Sequence, residues 1–314
     1  MVYLGYSLMC LIFGTTFLAI KWGIDAGLTP FLGGGIRFLL AGLVLLAFMA
    51  VRGQVSFSLL LRKEMLFTGL SLTFGTFSAL YWAEQYLPSG MAAVLSATGP
   101  ILVLILQALV LRVRASKNAL WGCLLGFAGI VFLLMPGVSS LHGPFWLIAS
   151  LVIIAGEVFY AGGTLYSKQV MPRFQGVSPI AQNAAQMMYG GAGLLILSLF
   201  AEKPNVQALL DVKALLSLLY LIVFGSMVAH SLYYWLIVKT TPLFPTTWLY
   251  ISPVLALGFG LVLYGEPVTW NMTAGVLIVI SGLLLINSQA LLPMLFKKRN
   301  IPKSKPKPVH SEHI

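Results

Sequence analysis

One carboxyl stands deep inside an apolar stretch of this chain. Glu157 lies about 13 residues into the run 144–166, or roughly 20 Å along a helix. A charge at that depth in lipid has to face a protein interior, find a partner or carry a proton. Tyr160 and Thr164 follow at i+3 and i+7, which makes one polar helix face. Such a face suits a substrate or proton site, or a buried structural hydrogen bond. His230 has a similar depth in the run 215–238, with Tyr233 and Tyr234 at i+3 and i+4. A Glu157–His230 pair would respond to pH, while a lone helical histidine also serves as a satisfied structural group. Arg37 sits about seven residues into the run 30–51, roughly 10 Å deep. Its planar fork fits a substrate carboxylate, and its long stem equally allows snorkelling to the interface. Lys21, near the end of the first run, reads as a snorkelling lysine.

Aromatic residues form the second candidate set. Tyr81-Trp82 and Tyr234-Trp235 stand near opposite ends of their runs, as gates at two mouths or as members of the interfacial aromatic belt. Trp248 and Tyr250 precede Pro253 and are placed to line a cavity. Pro100 and Pro253 each delete a backbone hydrogen bond and push Gly99 and Ser252 away from α geometry, so both are hinge candidates. Gly122-x-x-x-Gly126 is a close helix-packing pattern. The sequence has no G-x-x-x-x-G-K-[ST], H-E-x-x-H, G-x-S-x-G or C-x-x-C, so no catalytic residue, metal ligand set or cofactor is assigned.

The elements that must hold these residues follow from composition. In 314 residues, 59% are hydrophobic and 9% charged, and mean hydropathy is +0.94. So few charges cannot cover a soluble surface of this size. Ten apolar runs are each near the roughly 20 residues that span hydrocarbon as a helix: 3–23, 30–51, 65–86, 89–111, 118–135, 144–166, 178–200, 215–238, 245–264 and 268–289. None alternates with the period of a barrel strand. The first run lacks a basic leader and a small-residue cleavage site, so it reads as a retained helix. Cys10 and Cys123 both fall inside apolar runs and carry no metal or disulfide spacing.

Lysine and arginine orient these helices. Of nineteen, fifteen fall in the tail and in connections after even-numbered runs, three on the opposite side, and Arg37 lies within a run. This asymmetry places both termini in the cytoplasm. The acidic residues Asp25, Glu84, Glu202, Asp211 and Glu266 fall on the outer side. The net charge of +11 is therefore topological, and no basic soluble face exists for nucleic acid. The tail 293–314, rich in Lys and punctuated by Pro302, Pro306 and Pro308, reads as disordered and close to anionic headgroups.

The halves repeat. Tyr81-Trp82, Pro100, Gly122 and Gly129 recur 153 residues later as Tyr234-Trp235, Pro253, Gly275 and Gly282. Gly14-x-x-Phe17-x-Ala19 recurs as Gly156-x-x-Phe159-x-Ala161, and Pro30 matches Pro179. Five runs per copy is an odd number, so the second copy enters the membrane from the other side. The expected fold is all-α and integral to the membrane: ten helices as two inverted five-helix repeats, 3–136 and 144–289, around a central cavity.

With these patterns in place the chain resembles the drug/metabolite transporter superfamily with two EamA-type domains. The resemblance rests on Gly14-x-x-Phe17, Arg37-Phe38 with Ala41, Ala79-Leu80-Tyr81-Trp82-Ala83, the stretch from Ala92-Ala93 to Pro100, the glycine-rich fifth and tenth runs, and Tyr264-Gly265-Glu266-Pro267. The first half departs from the last element, with Leu111-Arg112-Val113-Arg114 and no acid. The resemblance implies a ten-helix bundle that carries small metabolites, often outward. The function expected is therefore a secondary transporter in the plasma or inner membrane, exporting amino acids or related compounds by alternating access. Its partners are a small-molecule substrate and the lipid bilayer. Glu157 permits proton coupling, and facilitated diffusion fits equally well. A passive facilitator, a channel or a drug efflux carrier is the alternative; a membrane-embedded enzyme lacks the catalytic groups.

Overall fold

Several helices of this chain start where a side chain accepts from their first free N–H groups. α1 spans Val2–Asp25 and α2 spans Pro30–Val51. Proline opens α2, where its missing N–H costs nothing. The Glu202 carboxylate accepts from Phe31 and Leu32 N–H at 3.1 and 2.8 Å, a negative group at the positive end of the helix. A computed structural model describes residues 1–54, 57–113, 115–138, 145–174, 176–255, 270–286 and 288. The Tyr264–Pro267 element, Arg114, the segment 139–144 and the basic tail lie outside the described residues.

Every regular element among the described residues is helical. The third run holds α3 (Lys63–Thr68) and α4 (Thr76–Ala83), joined without a break by a π-helical turn over Gly69–Gly75. The fourth run was expected as one helix. It is instead α5 (Ser89–Ser96) and α6 (Gly99–Val110) around a turn at Ala97–Thr98, because Pro100 in the first turn of α6 has no N–H to extend the preceding helix. α7 is Lys117–Val138, α8 Trp146–Val170 and α9 Pro179–Ala201, the last capped by Ser178 accepting from Ile180 N–H at 3.2 Å.

The eighth run repeats the device of the third. α10 (Val212–Tyr220), capped by Asp211, passes through π-helical Leu221–Ala229 into α11 (His230–Lys239). Lys168 donates to the Ile237, Val238 and Thr240 carbonyls at 2.7, 3.2 and 2.7 Å, so a cation closes the end of α11. α12 (Leu243–Thr246) and α13 (residues 248–255) meet at Thr247, and α14 is Trp270–Ile286.

Six helices among the described residues are long and apolar enough to cross a membrane by length and composition. Their outward faces are apolar, as on α2, where Leu40, Leu43, Val44 and Phe48 are exposed. α2 packs along α9, and α7 along α14. Both pairs run antiparallel: the start of α2 meets Glu202 beyond the end of α9, and Asn118 at the start of α7 bonds Ser288 at 3.0 Å. The π turn before α4 packs on α8 and α9; the π turn before α11 packs on α1 and α2.

Candidate functional site

The two π turns are wider than α-helix and leave backbone carbonyls for side chains. In the first, Thr76 donates to the Ser71 carbonyl at 3.2 Å; in the second, His230 Nδ1 lies 2.8 Å from the Gly225 carbonyl. Thr76 and His230 both face one partly open cavity, whose atom-free space of about 540 Å³ includes its opening. Its wall comes from both halves of the chain: Phe13, Thr16 and Phe17 of α1, Arg37 of α2, Phe77 and Leu80 of α4, Ser96 of α5, Glu157 and Tyr160 of α8, Tyr233 of α11, Trp248 and Leu249 of α13.

Of the residues singled out in the sequence, Arg37, Glu157, Tyr160, His230 and Trp248 line this cavity together. Arg37 is 1% exposed and does not snorkel. Its Nε donates to Ser226 at 2.9 Å and its Nη1 to the Tyr81 hydroxyl at 3.3 Å, with the Phe38 and Phe77 rings 4.5 and 5.2 Å from the guanidinium carbon. These inward partners outweigh the pull of the interface. Lys21 likewise has protein partners, the Asp25 carboxylate at 3.2 Å and the Glu84 carbonyl at 3.0 Å.

Glu157 is buried beside Ser96, and its Oε2 has no hydrogen-bond partner. No ion pair or hydrogen bond joins it to His230, whose ring is instead bound to Gly225 and packed edge-on against Phe13 and Phe38. The expected Glu157–His230 pair is therefore not made: the π turn supplies His230 with its own acceptor. Trp248 Nε1 donates to the Tyr160 hydroxyl at 3.1 Å, and Thr164 bonds Tyr233 at 2.7 Å.

The other candidates lie off the cavity wall. Tyr81 is buried behind Arg37, and Trp82 stacks near Tyr86 at 4.9 Å. Tyr234 is buried next to Ser167. Tyr250 donates to the Cys123 carbonyl at 3.1 Å and packs on Gly126, which ties α13 to α7. Pro100 sits at the α5–α6 break, and Pro253 lies within α13, six residues after the turn at Thr247.

Sequence reasoning missed two features. Glu84, counted as an outer surface acid, is fully buried, and neither carboxylate oxygen has a hydrogen-bond partner. A buried chain of amides also crosses the bundle: Thr73 donates to Gln186 at 2.6 Å, Gln186 to Asn183 at 3.1 Å, and Asn183 to Ser231 at 3.2 Å. Its signal was available, since Asn183 and Gln186 are three residues apart in the middle of an apolar run.

A family model described as the EamA-like transporter family matches the chain over residues 1–135 and 147–288. YedA of Escherichia coli (strain K12), named an uncharacterized inner membrane transporter, is 32% identical over 259 residues, covering 82% of this chain and 80% of YedA. A probable amino-acid metabolite efflux pump of Salmonella typhimurium is 27% identical over 286 residues, 88% of this chain and 91% of the pump. One solved crystal structure superposes with a TM-score of 0.74 over 92% of this chain and 98% of its own, at 19% identity, a likeness of fold alone.

Proposed function

The chain belongs to the EamA-like transporter family, and from that premise we propose that it is a secondary transporter that moves small organic metabolites by alternating access through the Arg37–Glu157 cavity. The observation that carries this reading is a cavity walled by both halves of the chain. Alternating access needs two similar units that can rock around one site. In our reading those units are 3–136 and 144–289, two inverted five-helix repeats. The π turns Gly69–Gly75 and Leu221–Ala229 support it, because they fall at the same offset of about 153 residues as the repeated Tyr-Trp pair. So do the antiparallel pairs α2–α9 and α7–α14, each formed by elements in corresponding places.

In this scheme Arg37, Glu157, Tyr160, His230 and Trp248 meet the substrate. Tyr81 holds Arg37, while Tyr234 and Tyr250 brace the helices behind the wall. Trp82 belongs to one mouth. Pro100 and Pro253 are the hinges, which the turn at Ala97–Thr98 supports for the first. The Salmonella relative supports export of amino-acid-related compounds, and the Escherichia coli relative an inner-membrane location. The basic connections support cytoplasmic termini.

Counterflow in proteoliposomes tests the carrier. Labelled substrate should accumulate transiently against unlabelled substrate preloaded inside, and the rate should saturate. A flux that rises linearly with concentration and shows no counterflow identifies a pore and overturns the proposal.

A further inference from the structure

Glu157 is the one acid on the described cavity wall. Its carboxyl is 5% exposed, Ser96 stands beside it, and Oε2 is left without a hydrogen bond. The nearest permanent cation on the wall does not serve it: Arg37 spends Nε on Ser226 and Nη1 on Tyr81. An enclosed carboxyl with no cation of its own takes up either a proton or a cation from elsewhere.

Aromatic rings share the cavity wall with Glu157. Tyr160 is one helical turn on, and its hydroxyl is pinned by Trp248 Nε1 at 3.1 Å. Phe13 lies 4.4 Å and Phe17 6.1 Å from Trp248, and Tyr233 lies 5.8 Å from Tyr160, centroid to centroid. Aromatic faces carry negative quadrupoles that attract cations and repel anions. Glu157 Oε2 packs against Gly99 at the α5–α6 break. A Cβ there would fall 2.5 Å from Oε2 and 3.5 Å from the Tyr160 ring.

We propose that Glu157, with the rings of Tyr160, Trp248, Phe13 and Phe17, seats the positively charged nitrogen of an organic amine with an apolar body. This rests on the carrier reading above and narrows its substrate class. Arg37 is then a wall group held by Ser226 and Tyr81 rather than the clamp for a substrate carboxylate.

Three probes with one phenylethyl body and different charge test the seat on the full chain in lipid nanodiscs: phenethylamine, phenylalanine and 3-phenylpropionate. Phenethylamine should bind at least about tenfold tighter than 3-phenylpropionate, with phenylalanine between them. Glu157→Gln should lower phenethylamine affinity at least about tenfold without weakening 3-phenylpropionate, and Glu157→Asp should recover part of the loss. No measurable binding of phenethylamine, equal binding of the anion, or unchanged amine affinity in Glu157→Gln overturns the seat. Should the variants fail to fold, the order of the three probes on the unmodified protein decides alone. Counterflow separates the two proposals. Amine binding without counterflow upholds the seat and rejects the carrier. Counterflow of 3-phenylpropionate in preference to phenethylamine upholds the carrier and rejects the seat.

Discussion

Arg37 keeps its charge in the bundle through geometry that only a guanidinium offers. Two donors diverge to Ser226 and Tyr81, and the plane lies against Phe38 and Phe77. A lysine at this position keeps the charge but presents one compact ammonium, which cannot serve both hydroxyls from the same stem. Arg37→Lys is therefore expected to lower stability by about 1–3 kcal/mol, seen as a lower unfolding midpoint in detergent. In the Ser226→Ala background the same change should cost less, since one bond is already gone. Equal midpoints for Arg37→Lys and the unmodified chain would show that the fork is not needed. This residue was legible in the sequence as a charge in an apolar run, and so were Glu157 and His230. Its partners were not, because serine and tyrosine inside membrane helices are too common to be marked by spacing. Glu84 misled for the opposite reason. It follows a helix end where water is the default neighbour, yet it is fully buried, with Lys21 donating to its backbone carbonyl.

At the level of elements, the glycines of α7 and α14 set how closely two whole helices approach. A Cβ on Gly122 would fall 2.7 Å from the Gly282 carbonyl, and one on Gly282 would fall 2.6 Å from Gly126 N. Both obstacles are backbone and cannot swing aside. Gly282→Leu should force the helices apart and cost about 1–3 kcal/mol, read as a drop in the unfolding midpoint of the purified protein. An unchanged midpoint would mean that this contact is not close-packed. The sequence displayed Gly122-x-x-x-Gly126 as a packing face and Gly275 and Gly282 as repeats of Gly122 and Gly129, but not that the two glycine faces meet. The π turns were invisible for a related reason. An added residue per turn leaves an apolar run continuous, so neither Gly69–Gly75 nor Leu221–Ala229 interrupts its run. The α5–α6 break was half legible: Pro100 announced a disturbance, but whether it bends a helix or divides it depends on what lies opposite. Here Glu157 and Leu249 crowd against Gly99.

For the molecule as a whole, the decisive quantity is the parity of spans in each half. An odd number sends the second copy through the membrane upside down, and only then do corresponding helices pack antiparallel, as α2 does with α9 and α7 with α14. On the proposed repeat, the connections after α2 and α11 are expected on one side and the connections after α4 and α9 on the other. Single cysteines introduced at exposed Gln54, Gln85, Lys203 and Thr241 report each of these connections. Cys10 and Cys123 are buried, so the background should be low. In intact cells a membrane-impermeant maleimide should label Gln85→Cys and Lys203→Cys, while Gln54→Cys and Thr241→Cys should react only after permeabilisation. Labelling of Gln54→Cys and Lys203→Cys from the same side would break the α2–α9 relation. α2 enters beside Glu202 and leaves just before Gln54, so it cannot span the bilayer with both ends on one face. The expected orientation rests on the basic residues: the connection after α2 carries Arg52, Arg62 and Lys63, whereas the one after α9 carries Lys203 and Lys213 beside Glu202 and Asp211. A fully reversed pattern would leave the repeat intact and overturn only the orientation, whereas a mixed pattern would remove the two-unit geometry on which alternating access depends.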